Sequence, residues 1–244
     1  MREFVFKESD KEGAEILESV TAAPLFNKWM YDTIVRYCSG KILEIGSGTG
    51  NISEFFIKDN KNINLSDVRK EYCDILLNKF PSQKDQIFLM DLVKENFDSE
   101  YASLIGTFDT VFALNVIEHI KDNQKALTNC HKLLKPGGTI IILVPAYEWL
   151  YNVLDEELYH YQRYTKSTLE DVLKRSSFRI EKSFYFNFVG MAGWFYAGKI
   201  LKEKTLTKNK MSLYNKLVPI NKLLDRIIFN SAGLSVVSVG IKSK

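Results

Sequence analysis

Three glycines at alternate positions, Gly46, Gly48 and Gly50, follow the short run Ile42-Leu43-Glu44-Ile45. An apolar pattern at helical spacing (Ile52, Phe55, Phe56) begins immediately after them. Such a sequence reads as buried strand, tight turn and helix N-terminus. The glycines let backbone N–H groups approach a ligand with no Cβ in the way. The helix start turns free donors and positive dipole toward an anionic group. Glu44 is costly in a buried strand unless something polar or cationic meets it. About twenty residues on, Ile63-Asn64-Leu65-Ser66 ends at Asp67, an acid placed to accept both hydroxyls of a ribose or to cap a helix.

A second polar set lies at Asp155, His160 and Arg163. His160 has the near-neutral pKa of a general base for a hydroxyl nucleophile. Arg163 is of the type that pairs with a carboxylate or phosphate. The plainer alternative is that the three hold their loop to the body by hydrogen bonds. His119 is also a tempting base. No cluster of side chains demands a metal.

The elements that must position these groups alternate. Helices are expected over 14–37, punctuated by Pro24, then to about Lys58, over Lys70–Lys79 and over Asn123–Leu134. Strands are expected at 42–45, 63–66, Ile87–Met90, Phe108–Leu114 and Thr139–Val144. Asn115 ends the fourth strand, where open α/β sheets bind ligands. Lys135-Pro136-Gly137-Gly138 stops the preceding helix. The alternation predicts a doubly wound α/β sheet.

A dinucleotide fingerprint places its third glycine five residues after the first; here it comes four after, and an acid precedes the turn. LEIGSGTG resembles motif I of the class I S-adenosylmethionine-dependent methyltransferases. FDTVFALNVIEHI and LLKPGGTIIILVP resemble later motifs of the same family. The resemblance covers roughly residues 38–180 and implies a mostly parallel, seven-stranded, Rossmann-like sheet with an antiparallel last strand, N-terminal helices and a helical insertion before that strand. It implies S-adenosyl-L-methionine as cofactor. Glu44, Gly46, Ser47, Gly48, Gly50 and Asn51 would hold its methionine portion, Asp67 the ribose, Asp91 and Leu92 the adenine, with Val68 also at the cofactor and Asn115 beside the sulfonium. It makes Trp29 and Tyr31 candidate lid residues and assigns the Glu118-His119 pair to packing. A nicotinamide-dependent oxidoreductase and an inactive cofactor-binding partner are the rival readings.

Beyond Pro145, Asp155…His160-x-x-Arg163-Tyr164-Thr165 resembles the D…HxxRY[ST] loop of bacterial methyltransferases associated with glycan, lipid-linked or secondary-metabolite pathways. The resemblance makes His160, Arg163 and Tyr164 the catalytic candidates and a hydroxyl of a small molecule, sugar or carrier- or lipid-linked intermediate the acceptor. Carbon or nitrogen acceptors are the alternatives. Thr165 or Ser167 is expected to cap the next helix, and Phe178–Phe186 to be a strand. Phe184 to Tyr196 is too aromatic for a simple surface helix; it reads as core, or as an apolar substrate cover or interfacial patch. Residues 199–226 carry eight basic side chains (Lys199, Lys202, Lys204, Lys208, Lys210, Lys216, Lys222, Arg226) against Glu203 and Asp225. That run is a solvated face, or it meets anionic lipid or an acidic carrier protein. A final strand is expected over 234–241.

The 244 residues read as one methyltransferase domain: a helical lid over 1–37, the cofactor-binding core over 38–145, acceptor-facing elements over 146–233 and the last strand over 234–244. Apolar content of 45% with 26% charged residues is ordinary for a globular chain, and a net charge of +3 is too small to imply nucleic acid. Three scattered cysteines with no C-x-x-C make a disulfide framework or zinc site unexpected. With no apolar signal core at the start, a cytoplasmic location is expected. Nothing in the sequence fixes an oligomeric state.

Overall fold

The computed structural model describes Phe4, residues 21–205 and residues 207–243. The first part of the expected N-terminal helical region, residues 14–20, lies outside them. Helix α1 (Pro24–Ile34) starts with proline at its first turn, where the missing N–H costs nothing. The alternating units follow: β1 (Ile42–Ile45), α2 (Ser53–Lys58), β2 (Ile63–Asp67), α3 (Lys70–Lys79), β3 (Ile87–Leu89), α4 (Phe97–Glu100), β4 (Phe108–Leu114) and α5 (Asn123–Leu133). Then come β5 (Leu134–Pro145), α6 (Val153–Glu157), α7 (Lys166–Arg175), β6 (Phe178–Phe186), α8 (Phe188–Phe195), α9 (Lys208–Ile227) and β7 (Ser235–Lys242).

The seven strands form one sheet in the order β3-β2-β1-β4-β5-β7-β6. All neighbours from β3 to β5 are parallel, and β7 runs antiparallel between β5 and β6. The strand order reverses between β1 and β4, the place where ligands bind in such sheets. Strand β5 begins at Leu134, earlier than the expected Thr139. Phe108 pairs Leu134 while Thr110 pairs Thr139, so the Lys135–Gly138 segment bulges out of register.

Side chains alternate between two cores, as a period of two requires. Leu43, Ile45, Val111, Ala113, Ile140 and Ile142 face the layer of α4, α5 and α7. Ile42, Phe112, Ile141 and Leu143 face the layer of α1, α2, α3 and α9. In the second layer Phe56 of α2 stacks on Phe112 at 5.1 Å and meets Tyr31 edge-on at 4.8 Å. Trp29 and Tyr31, the lid candidates, are core residues instead. The Trp29 ring lies 4.3 Å from that of Phe186, and the buried Tyr31 hydroxyl donates to Asp59.

Phe56→Ala should destabilise the chain by about 3–5 kcal/mol, the cost of emptying a closed aromatic site. Urea unfolding, read as a midpoint shift at unchanged slope, measures it.

Candidate active site

Strand β1 delivers Glu44 and strand β2 delivers Asp67 to the point of strand reversal, both buried. Glu44 accepts from the Ser53 hydroxyl. Burial outweighs that bond and pushes its pKa up to about 7. Asp67 accepts from the Gly48 N–H and the Arg69 N–H, each at 3.0 Å. Burial still raises its pKa against these bonds. Ser47 locks the turn onto β2: its N–H donates to the Ser66 carbonyl at 2.9 Å, and its hydroxyl accepts the Ser66 N–H at 3.2 Å.

The glycines answer to packing as much as to a ligand. Gly46 has φ +70, and a Cβ there would stand 2.5 Å from Val116. Gly50 has φ +76, and a Cβ would meet Phe80 at 2.6 Å. Asn51 is tied to Thr21 through its side-chain amide.

Beside this turn, Val68 is half exposed, and the Asp91 carboxylate accepts the Val93 N–H at 2.8 Å. Leu92 corrects the sequence reading. It is buried in the core layer with Met90 and Phe97, so its side chain is committed to packing rather than offered to an adenine ring. Asn115 is exposed with φ +54, a conformation asparagine tolerates better than most residues.

The segment after β5 folds back around Asp155, which is fully buried and accepts from four donors. These are His160 Nδ1 (2.8 Å), Arg163 Nε (2.8 Å), the Asn152 N–H (3.0 Å) and the Trp194 indole (3.2 Å). Burial alone would raise its pKa, but His160 and Arg163 outweigh burial and hold it low. Arg163 also donates to the Ala146 carbonyl at 2.9 Å and lies over the Trp194 ring at 5.0 Å. Its charge is spent inside the protein, so pairing with a substrate anion does not fit. The Tyr164 hydroxyl accepts from Asn123 (2.8 Å) and Gln162 (2.6 Å) within the core, which makes it a structural residue rather than a catalytic one.

His160 is only 4% exposed. Burial lowers its pKa although Asp155 opposes the shift. The His119 ring stands 4.7 Å from it, edge to face, and is open to solvent. Under the pair lies Glu118, 0% exposed, with neither oxygen meeting a hydrogen-bond partner among the described residues. Burial pushes its pKa up to about 8. Donor atoms of Glu118, His119 and His160 lie within 4.8 Å of one another, a carboxylate and two imidazoles of the kind that transition metals select. Sequence spacing missed this convergence, because His160 arrives from far along the chain. An acid inside the apolar run VIEHI was the signal available.

Residues 43–140 match a family model described as a methyltransferase domain. Curated relatives include a highly reducing polyketide synthase of Strobilurus tenacellus, 27% identical over 144 residues, covering 57% of this chain and 5% of that protein. A lovastatin diketide synthase of Aspergillus terreus is 30% identical over 122 residues, 45% of this chain and 5% of that protein. The ubiquinone biosynthesis O-methyltransferase of Erwinia tasmaniensis is 27% identical over 119 residues, 47% of each. The chain thus spans less than half the length of these relatives.

Among solved structures, phosphoethanolamine N-methyltransferase 2 of Haemonchus contortus superposes with TM-score 0.63 at 17% identity, over 98% of this chain and 61% of that one. A methyltransferase of Thermotoga maritima gives 0.60 at 15% identity, over 93% and 92%. At such identities the likeness is one of fold.

Residues 43–140 are thus a methyltransferase domain, set in the fold of the S-adenosylmethionine-dependent methyltransferases. The nicotinamide alternative falls with that assignment. The buried carboxylates and glycine turn at the strand reversal fit the family's cofactor, which brings an ammonium and ribose hydroxyls to such acceptors.

In this methyltransferase Glu118 makes stability depend on pH. The folded protein holds its proton between the usual 4.5 and about 8 while the unfolded chain releases it, so unfolding free energy should fall as pH rises through that window. Glu118→Gln should flatten the fall and be relatively more stable above it. Denaturation midpoints across pH test this.

Proposed function

We propose that this methyltransferase moves the sulfonium methyl of S-adenosylmethionine to a hydroxyl of a small-molecule, sugar or carrier- or lipid-linked biosynthetic intermediate. The observation that carries the reading is the Asp155–His160 pair. A carboxylate fixes one imidazole nitrogen at 2.8 Å and leaves the other ring nitrogen to take a proton. With its pKa lowered, His160 is neutral at neutral pH and fit to act as a base.

Bound S-adenosylmethionine supplies an electrophilic methyl group. Glu44 with the turn Gly46-Ser47-Gly48-Gly50-Asn51 would hold its methionine portion, Asp67 and Val68 the ribose, Asp91 the adenine amino group, and Asn115 the flank nearest the methyl. Alignment and exclusion of water supply most of the acceleration, for which effective molarities are worth about 7–11 kcal/mol. His160 would take the acceptor hydroxyl's proton on its second ring nitrogen as the oxygen attacks the methyl group. Arg163 and Trp194 are positioning residues that keep Asp155 charged and in place.

The hydroxyl acceptor draws support from a relative that is by name an O-methyltransferase, and the biosynthetic setting from the polyketide and diketide synthases. A nitrogen acceptor is the second reading. An amine that is already neutral needs no base, so it would leave the Asp155–His160 pair with a holding role only.

Asp67→Ala should weaken binding of S-adenosylhomocysteine by about 1–3 kcal/mol, the scale of buried polar groups left without partners; calorimetry reads it. His160→Ala should keep that affinity and slow turnover by about 10²–10⁴-fold on an alcohol acceptor. An unchanged rate would remove the base and favour the amine reading. Because displacement at a sulfonium needs no metal, a chelator should leave the rate unaltered. Loss of activity restored by a divalent ion would instead assign a metal to Glu118, His119 and His160.

A further inference from the structure

Helix α9 is 20 residues long, about 30 Å at the usual rise. Its inner face is held by specific polar contacts. Asn215 accepts the Leu25 N–H at 2.8 Å and so caps α1. Asp225 accepts the Asn187 and Phe188 N–H groups at 2.7 and 2.8 Å and so caps α8. Tyr214 donates to Asn187 at 2.6 Å. With Met211 and Val218 also buried, the rotation of the helix about its axis is fixed.

That rotation turns Leu213, Leu217, Ile220, Leu223 and Ile227 outward, and Phe229 just beyond the helix is 90% exposed. Leu213, Ile220, Leu223 and Ile227 are each between 57% and 62% exposed, an uncovered aliphatic stripe well beyond the scattered apolar residues of an ordinary surface. Phe195, Tyr196 and Ile200, on α8 and the π-helical turn after it, are exposed too, and α8 is joined to α9 through the Asp225 and Tyr214 contacts. Phe195 in turn neighbours the loop after β5, where Trp149 is 55% exposed and its ring lies 6.3 Å from that of Phe195.

Charge decides what can cover this face. Residues 199–226 carry eight bases and two acids. Of the acids, Asp225 is buried and Glu203 is paired with Lys210, while Lys204 and Lys222 pair with Glu157 and Asp32 of other elements, which still leaves bases in excess. A second copy of the chain pairing stripe to stripe would press two cationic borders together. An anionic lipid surface matches both features: aliphatic side chains enter the headgroup boundary while lysine and arginine reach the lipid charges.

We propose that the α8–α9 face docks this methyltransferase on an anionic bilayer, with the mouth of the acceptor loop at the lipid boundary. The indole of Trp194, on the docking helix α8, donates to Asp155, so the face and the His160 network are one packed unit. No helix among the described residues is long and apolar enough to cross a membrane, and the docking is interfacial. The inference does not depend on which atom is methylated.

The test is co-sedimentation of the full chain with phosphatidylcholine vesicles, with and without phosphatidylglycerol. Binding is expected to the anionic vesicles only. It should weaken as salt rises from about 0.1 to 1 M and the Debye length falls from about 10 to 3 Å. Ile220→Glu combined with Leu223→Glu should lower vesicle affinity at least about tenfold, each acid losing the apolar insertion and repelling the lipid charge. Calorimetric binding of S-adenosylhomocysteine should be unchanged in that variant, which shows that it folds and keeps the cofactor reading separate. Absence of pelleting, equal binding to neutral vesicles, or pelleting that survives the double variant would overturn the proposal. So would a dimer abolished by the same substitutions, or binding of an acidic carrier protein without binding to vesicles.

Discussion

A carboxylate taken out of water must find donors or keep its proton. Five acids are buried among the described residues: Glu44, Asp67, Glu118, Asp155 and Asp225. Four of them serve as joints. Glu44 ties β1 to the start of α2 through Ser53, and Asp67 ties β2 to the glycine turn. Asp155 gathers the loop after β5 and α8, and Asp225 fixes α9 against the start of α8. Glu118 alone lacks such partners, and it sits where the strand reversal meets the loop carrying His160. The geometry of both halves of the site follows from where these charges were satisfied.

Much of this was legible in the sequence. The glycine turn, Asp67 and the alternation of strand and helix depend on neighbours in the chain and on a period of two or 3.6, which a one-dimensional pattern carries. Helix α3 and strand β4 fall on their expected bounds. Thr165, not Ser167, caps α7, with Thr168 completing the box.

What the sequence could not show was which side chains spend their donors internally. Arg163 and Tyr164 stand in a motif that invites a catalytic reading, yet their partners Ala146, Asn123 and Trp194 come from other elements. Leu92 and Tyr31 have the right types for a cofactor wall and a lid; their burial is settled by α5 and α2, which no local pattern specifies. The start of β5 was missed because Lys135–Gly138 has the composition of a stop, while pairing of Leu134 with Phe108 across a bulge extends the strand. Long-range pairing overrode local turn chemistry there.

The position of β7 has a consequence for biosynthesis. Residues 235–242 fill the slot between β5 and β6, pairing with both along most of their length. During translation those two flanking strands emerge first, each with an unpaired ladder of N–H and C=O groups facing the gap. The β6 end of the sheet therefore cannot close while the ribosome still holds this segment, and that open edge is what chaperones or neighbouring nascent chains would encounter. The five parallel strands and their glycine turn carry no such dependence, so they are free to assemble while β6 waits for β7.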